Sequence, residues 1–485
     1  MVRPPGVRRL LEGLLWAIAL ATMPAGPGRA ETDRSLREQV EACLLERFQE
    51  TSKDQHRTDY AVLLSTRLRH AAREGGPGAD LELRRILELC RESRPYRPLP
   101  LGRPPRNRQP LLVDGGSLES LRAVLDSARR SLSRARGTVV PFGTGRVPAG
   151  DLLRGVQTLR TIVDRAPEGP GGLARSAAEP GGIFRDGGPF ASLIPPPKPP
   201  AGSPSGLARA VLESFDLYRS PGAFGTGEVL FTSYASPVYD GSLQAGGRFR
   251  YPIYRSPATA GLPVRALDRA GIYAGGLAGH GLEIAYLAER MDEFQIQIEG
   301  SGFIRLPDGT FIHATYAAQN GRPYRSLGKE LVRDGVFKPW EIDNPAVRRY
   351  FHAHPEQERP YLERNPSFVF FGAKRLDSLP DRSALVPERA VAVDPRFFPR
   401  GALAFADTFV PIYDREGRLA GRRPWRRFIV AQDVGGAVKG EGRIDLYQGQ
   451  GEEAQLIADT MKEPGTLWLL LPKGSRPTGS VEPEE

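Results

Sequence analysis

Asp394, Asp433 and Asp445 each close or interrupt a short apolar run, in VAVD, FIVAQD and RIDLY. Aspartate is disfavoured in strands, because its short carboxylate competes for local backbone hydrogen bonds. Three of them beside Gly or Pro point to carboxylates gathered at the ends of packed strands, able to move protons or hold a polar ligand. Capping of turns would use the same residues. Alternation in RIDLY puts Ile444 and Leu446 on one face and Arg443, Asp445 and Tyr447 on the other, so Asp445 points away from the core. In DVGGAVKG, Gly435, Gly436 and Gly440 let backbone pass close to a ligand.

Other chemistries lack their residues. The six histidines form no HExxH or Cys/His array, and His352-Ala-His354 sits in a charged helical stretch that reads as surface. Gly300-Ser301-Gly302 falls short of a nucleophile elbow, and there is no P-loop. Gly449-Gln-Gly451-Glu-Glu-Ala454 has the outline of a dinucleotide fingerprint, but Glu452 and Glu453 would repel a pyrophosphate and no second βαβ unit follows. Two cysteines exclude a disulfide-dense scaffold and a four-cysteine zinc site. Neither a metal nor a cofactor is expected.

These residues must be positioned by a chain of 485 residues, room for about three domains. Its 55 Gly and 45 Pro imply that part of it is linker. Net charge is +10, which favours anionic partners, but only eight lysines contribute, and enrichment in Arg, Ala, Gly and Pro is also what a GC-rich coding bias gives. No nucleic-acid partner is inferred. Arg3, Arg8 and Arg9 followed by an apolar stretch from Gly13 to Met23 read as an export signal, with cleavage after Ala30 and a soluble or peripherally bound periplasmic product. No Cys follows closely, so an outer-membrane lipoprotein is not expected. Residues 31–112 read as a helical extension ending in a Pro- and Arg-rich linker; Cys43 and Cys90 there suit either one bridge or two buried thiols. Helical periodicity covers 117–136, 147–164 and 206–218, with a Pro-rich loop at 166–205. From Gly227 short alternating runs dominate, including FQIQIEGSGFIRLPDGTFIHATYA, read as strands around a Pro-Asp-Gly turn; 323–364 read as helices, and 386–472 return to strands around a helix at 452–462. The fold class is mainly β with helices, α+β rather than βαβ repeats.

DVGGAVKGEGRIDLYQGQGEEA, with Asp394 in AVDPRFFPRG, resembles the three-aspartate (3D) domain, a double-psi β-barrel. GEVLFTSYASPVYDGS, YPIYRSP, EFQIQIEGSGFIRLPDGT, YAAQNGRPYRSLGKELV and NPSFVFFG resemble the family of membrane-bound lytic murein transglycosylase A (MltA). The resemblance runs from about 112 to 473. It implies a double-psi barrel with flanking helices at 113–239 plus 373–476, an inserted smaller β domain at 240–372, and a groove between them for a glycan strand.

The implied reaction is that of a peptidoglycan lytic exotransglycosylase. It breaks the β-1,4 bond from N-acetylmuramic acid to N-acetylglucosamine without water and leaves 1,6-anhydro ends. The resemblance makes Asp445 the catalyst, general acid then base, with Asp433 and Asp394 as the other two aspartates. It places Tyr234, Glu299, Ser301, Gly302, Tyr324, Gly435 and Gly436 against the substrate. It allows a peripheral outer-membrane association and a cell-wall enzyme complex. A two-carboxylate glycoside hydrolase using Asp445 with Glu299 or Asp433, or a silent glycan-binding wall protein, are the alternatives. Glu299 stands where the family usually has Gln, and Asp459 where a small residue is usual.

Overall fold

The computed structural model describes residues 35–50, 54–74, 76–92, 96–103, 109–110, 112–166, 206–380, 385–413 and 419–479. The export signal and nearly all of the Pro-rich loop lie outside them. Three helices open the chain, α1 (Leu36–Glu50), α2 (Gln55–Glu74) and α3 (Gly76–Arg91), and a bridge from Cys43 to Cys90 ties α1 to α3. Helices α4 (Leu118–Arg134) and α5 (Ala149–Arg165) flank a small hairpin, β1 (Val139–Phe142) and β2 (Gly145–Pro148). Ser117 caps α4 by accepting from the Ser120 N–H, and the apolar face of α4, Leu121, Val124, Leu125, Ala128 and Leu132, is buried. Next come α6 (Gly206–Ser214), β3 (Phe215–Arg219), β4 (Val229–Ser236), β5 (Val238–Ser242), β6 (Tyr251–Tyr254), α7 (Arg269–Tyr273), β7 (Glu283–Leu287), α8 (Arg290–Glu299), β8 (Ser301–Arg305) and β9 (Phe311–Gln319). The chain continues through α9 (Leu327–Arg333), α10 (Asn344–Ala353), α11 (Pro355–Glu363), β10 (Val369–Leu376), β11 (Ala390–Val393), β12 (Leu403–Tyr413), β13 (Leu419–Val434), β14 (Arg443–Gln450), α12 (Glu452–Thr460) and β15 (Lys462–Pro472).

Two large sheets result. One runs β12-β13-β11-β14-β4-β15-β3, and pairing of β12 with β15 closes its first six strands into a barrel. The other runs β10-β9-β8-β5-β7-β6 within residues 238–376. The barrel interior takes every second residue, among them Phe231, Ile444, Leu446, Leu467 and Leu469, and α4 and α5 pack on the same core. Parallel pairing of β14 with β4 and antiparallel pairing of β15 with β4 make β14 and β15 antiparallel, so β14-α12-β15 is no dinucleotide-binding crossover.

Two short segments depart from the sequence reading. FQIQIE, read as a strand, is the second half of α8; Met291, Phe294, Ile296 and Gln297 are buried, Ile298 is left 42 % exposed, and Gly300 ends the helix at φ 74°. FDLYR, read as the end of a helix, is β3, because its backbone pairs with the edge of β15 from Phe215 to Arg219. Among the described residues no helix is long and apolar enough to cross a membrane, and no cluster of His, Cys, Asp or Glu could hold a metal ion.

Candidate active site

The barrel's register builds a row of side chains across its outer face. Ala392 on β11 lies opposite Asp433 on one neighbour and Asp445 on the other; Asp445 is opposite Thr232, and Thr232 opposite Lys462. Residues in register project to the same side, so Asp433 and Asp445 stand on either side of the small Ala392, roughly 10 Å apart at the backbone. Two residues along from Thr232 and Asp445, Tyr234 and Tyr447 are also in register, with ring centroids 5.2 Å apart.

Asp445 is half-buried, and the Thr232 hydroxyl donates to its Oδ1 at 2.5 Å. Asp433 is engaged at both oxygens: the Tyr234 hydroxyl donates to Oδ2 at 2.9 Å and the Val434 N–H to Oδ1 at 2.9 Å. Burial, then the charge of Asp433, raises the Tyr234 phenol far above its ordinary value, so it stays a donor. Asp394 is 1 % exposed and accepts from the Gly440 N–H at 2.7 Å and from Arg396 at 2.8 Å. Burial pushes its carboxyl up, but the Arg396 guanidinium and the two backbone N–H groups outweigh that and hold it below the usual range. It therefore ties the loop before β14 to the end of β11. In that loop Gly436 is open, Gly435 is closed over by Val438, and the space above Gly440 is filled by Tyr96 and His56 of the extension.

The inserted sheet's residues stand at different depths. Ser301 is half-buried at the start of β8. Gly302 is buried, with Ile296 and Tyr239 where a side chain would go, so it packs the insert's core. Tyr324 is 57 % exposed on the surface. Glu299 is exposed and accepts from Gln295 at 3.0 Å. Gln455 on α12 touches Glu299 and donates to Asp459 at 3.0 Å, so the two residues that differ from the family pattern meet through one side chain. Asp459 also accepts from Asn344 at 2.8 Å, which fastens α12 to the insert. Desolvation, with Asp459 adding, pushes the Glu299 carboxyl from 4.5 up to about 8. Glu299 therefore keeps its proton to higher pH and, when neutral, resembles the Gln it replaces.

A stability test follows. A carboxyl raised in the folded state favours folding at low pH, and this advantage is lost between roughly pH 4.5 and 8. Glu299→Gln should therefore raise the melting temperature more at pH 8.5 than at pH 5. An equal effect at both pH values would show that the carboxyl is not so held.

Thr232 and Lys462 are neighbours of the aspartates that the sequence reading does not name, whereas Tyr447 stands on the face of Asp445 as alternation requires. Thr232 was within reach, since alternation in FTSYAS puts it on the face of Tyr234. Lys462 follows a helix and has no such signal; its amine donates to the Ile342 carbonyl at 2.9 Å, and burial, then Arg69, pushes it down to about 8.

Residues 230–372 match the MltA specific insert domain and residues 389–471 the 3D domain. The chain is 39 % identical over 259 residues to membrane-bound lytic murein transglycosylase A of Escherichia coli K12, covering 53 % of this chain and 69 % of that protein. The Vibrio cholerae protein of the same name is 35 % identical over 275 residues, covering 56 % and 72 %. The crystal structure of E. coli MltA with bound chitohexaose superposes with a TM-score of 0.57 at 29 % identity, over 78 % of this chain and 95 % of that one.

Proposed function

The chain belongs to the membrane-bound lytic murein transglycosylase A family and is a peptidoglycan lytic transglycosylase, and from that premise we propose that Asp445 alone carries its acid and base steps. The observation behind this reading is the row Asp433, Ala392, Asp445, Thr232 on the barrel's outer face. Asp433 is engaged at both oxygens, by Tyr234 and by the Val434 N–H, whereas among the described residues Asp445 accepts at one oxygen only, from Thr232. Asp445 gives its proton to the glycosidic oxygen as the C1–O bond of the muramoyl residue breaks. It then takes the proton of that residue's C6 hydroxyl, whose oxygen closes on C1. Atoms balance without water, and closure within one sugar is favoured by proximity. The Tyr234 hydroxyl keeps Asp433 in place in this row.

The substrate is a peptidoglycan glycan strand, in keeping with the chitohexaose bound by the E. coli relative, and on this reading it lies between the barrel's outer face and the insert. Ser301, Tyr324, Glu299 and Gly436 would meet it with side chain or open backbone, and Gly302, Gly435 and Asp394 would act by holding the shape around it. The family name points to the cell envelope. The second reading is a two-carboxylate hydrolase, which would pair Asp445 with Asp433 in the same row. Mass spectrometry of purified sacculi digested by the protein separates the two. Anhydro ends support the transglycosylase, and reducing ends would replace it with the hydrolase.

A further inference from the structure

The N-terminal extension reaches this site. Helix α2 lies against the barrel through Leu63, which packs with Ala223 and Leu230, and against the insert through Ala61, which packs in the cluster of Leu327 and Leu331. Arg67 pairs with Glu228 at 2.8 Å and Arg69 donates to the Trp340 carbonyl at 2.8 Å. These residues lie before or outside the stretches that match the two family models, apart from their partners on the insert and barrel. The helix sets Asp59, 4 % exposed, against Arg443 at 2.9 Å. Arg443 stands two residues before Asp445 on the same face of β14 and donates to the Thr232 hydroxyl at 3.3 Å, which in turn donates to Asp445 at 2.5 Å.

We infer that Asp59 is a positioning residue for the transglycosylase reaction: it takes up the charge of Arg443, so that Asp445 can hold the proton it must deliver. This rests on the reading of Asp445 as the acid. A guanidinium two residues away favours the ionised carboxylate and would spoil it as an acid. Pairing with a buried carboxylate cancels that field locally, while Arg443 still orients Thr232. The groups facing Asp59 are Arg443 and Asp445 from β14, Lys329 from α9, Lys439 from the loop before β14 and Tyr96 of the extension, with Gln55 and His56 on its own helix; Lys462 from β15 adds to the field at Arg443. Burial raises the Asp59 carboxyl to about 6 against the pull of Arg443.

The experiment is the pH profile of 1,6-anhydro-muropeptide release from sacculi by the full chain. Activity that needs a protonated Asp445 falls about tenfold per pH unit on its alkaline limb. Asp59→Asn should move that limb down by about one unit, the low end of what one neighbouring charge does. Activity at a fixed pH on the limb then drops about tenfold. Asp59→Glu should leave the limb near its original place, and Asp59→Asn with Arg443→Gln should return it. Arg443→Gln alone should move it up, which tests the idea even if Asp59→Asn does not fold. A loss equal at all pH values, or a limb that none of these variants moves, would overturn the inference. If Asp445→Asn is inactive in that case, the assignment of the acid still stands; if Asp445→Asn remains active, the assignment itself is what failed.

Discussion

Asp445→Asn is expected to lower release of 1,6-anhydro-muropeptides from purified sacculi by roughly 10²–10⁴-fold, at the high end of that range or below detection. Asn keeps the shape of the side chain and can still meet the Thr232 hydroxyl, which donates to Asp445 Oδ1 at 2.5 Å. What it lacks is a proton to give and a site to receive one. One group serves both steps, so both fail together. Binding of glycan should survive, because no volume is added and the row formed by Asp433, Ala392 and Thr232 is untouched. Asp433→Asn should act differently. It leaves the acid itself intact and removes only the carboxylate that Tyr234 and the Val434 N–H hold, so release should fall by less than in Asp445→Asn. Near wild-type release by Asp445→Asn would end the single-acid mechanism.

The local chemistry of this row was legible because strand periodicity is local. In RIDLY, Ile444 and Leu446 enter the barrel and Asp445 faces out, as a period of two requires. The Pro-Asp-Gly turn at 307–309 joins β8 and β9, which pair antiparallel from Ser301 to Arg305. What alternation could not give was register. That Ala392 would lie between Asp433 and Asp445 depends on a parallel and an antiparallel neighbour of β11, 41 and 53 positions away in sequence. Alternation also misled once. FQIQIE has the period of a strand, yet tertiary packing of Phe294 and Ile296 made it a helix ended by Gly300. The contact of Asp59 with Arg443 joins residues 384 apart and left no trace in either segment's pattern. Likewise, Glu299 and Asp459 looked like unrelated departures until Gln455 was seen to touch both.

Asp114→Ala is expected to be the most damaging change to stability away from the site. Arg389, wholly buried at the entry to β11, donates to Asp114 Oδ1 at 2.8 Å, to the Phe428 carbonyl at 2.9 Å, to the Ser117 carbonyl at 3.1 Å and to the Ser120 hydroxyl at 3.0 Å. Asp114, also wholly buried, accepts in addition from the Phe428 N–H at 2.8 Å and the Gly116 N–H at 2.8 Å. This pair joins the segment before α4 to the first residues of β11, the strand that carries Ala392 between the two aspartates. Removing Asp114 leaves a guanidinium in the interior with no opposite charge, and such breakage costs about 3–5 kcal/mol. At about 2–4 °C per kcal/mol for a domain of this size, the melting temperature should fall by roughly 6–20 °C. An exposed helical pair such as Arg37 with Glu41 is the contrast, worth about 0.3–0.5 kcal/mol. The double variant Asp114→Leu with Arg389→Met should recover much of the loss, because the penalty lies in the unpaired charge rather than in the absence of the pair. Thermal unfolding of the single and double variants decides it. A single variant melting within about 2 °C of the parent would mean that water reaches Arg389 and that the anchor of β11 lies elsewhere.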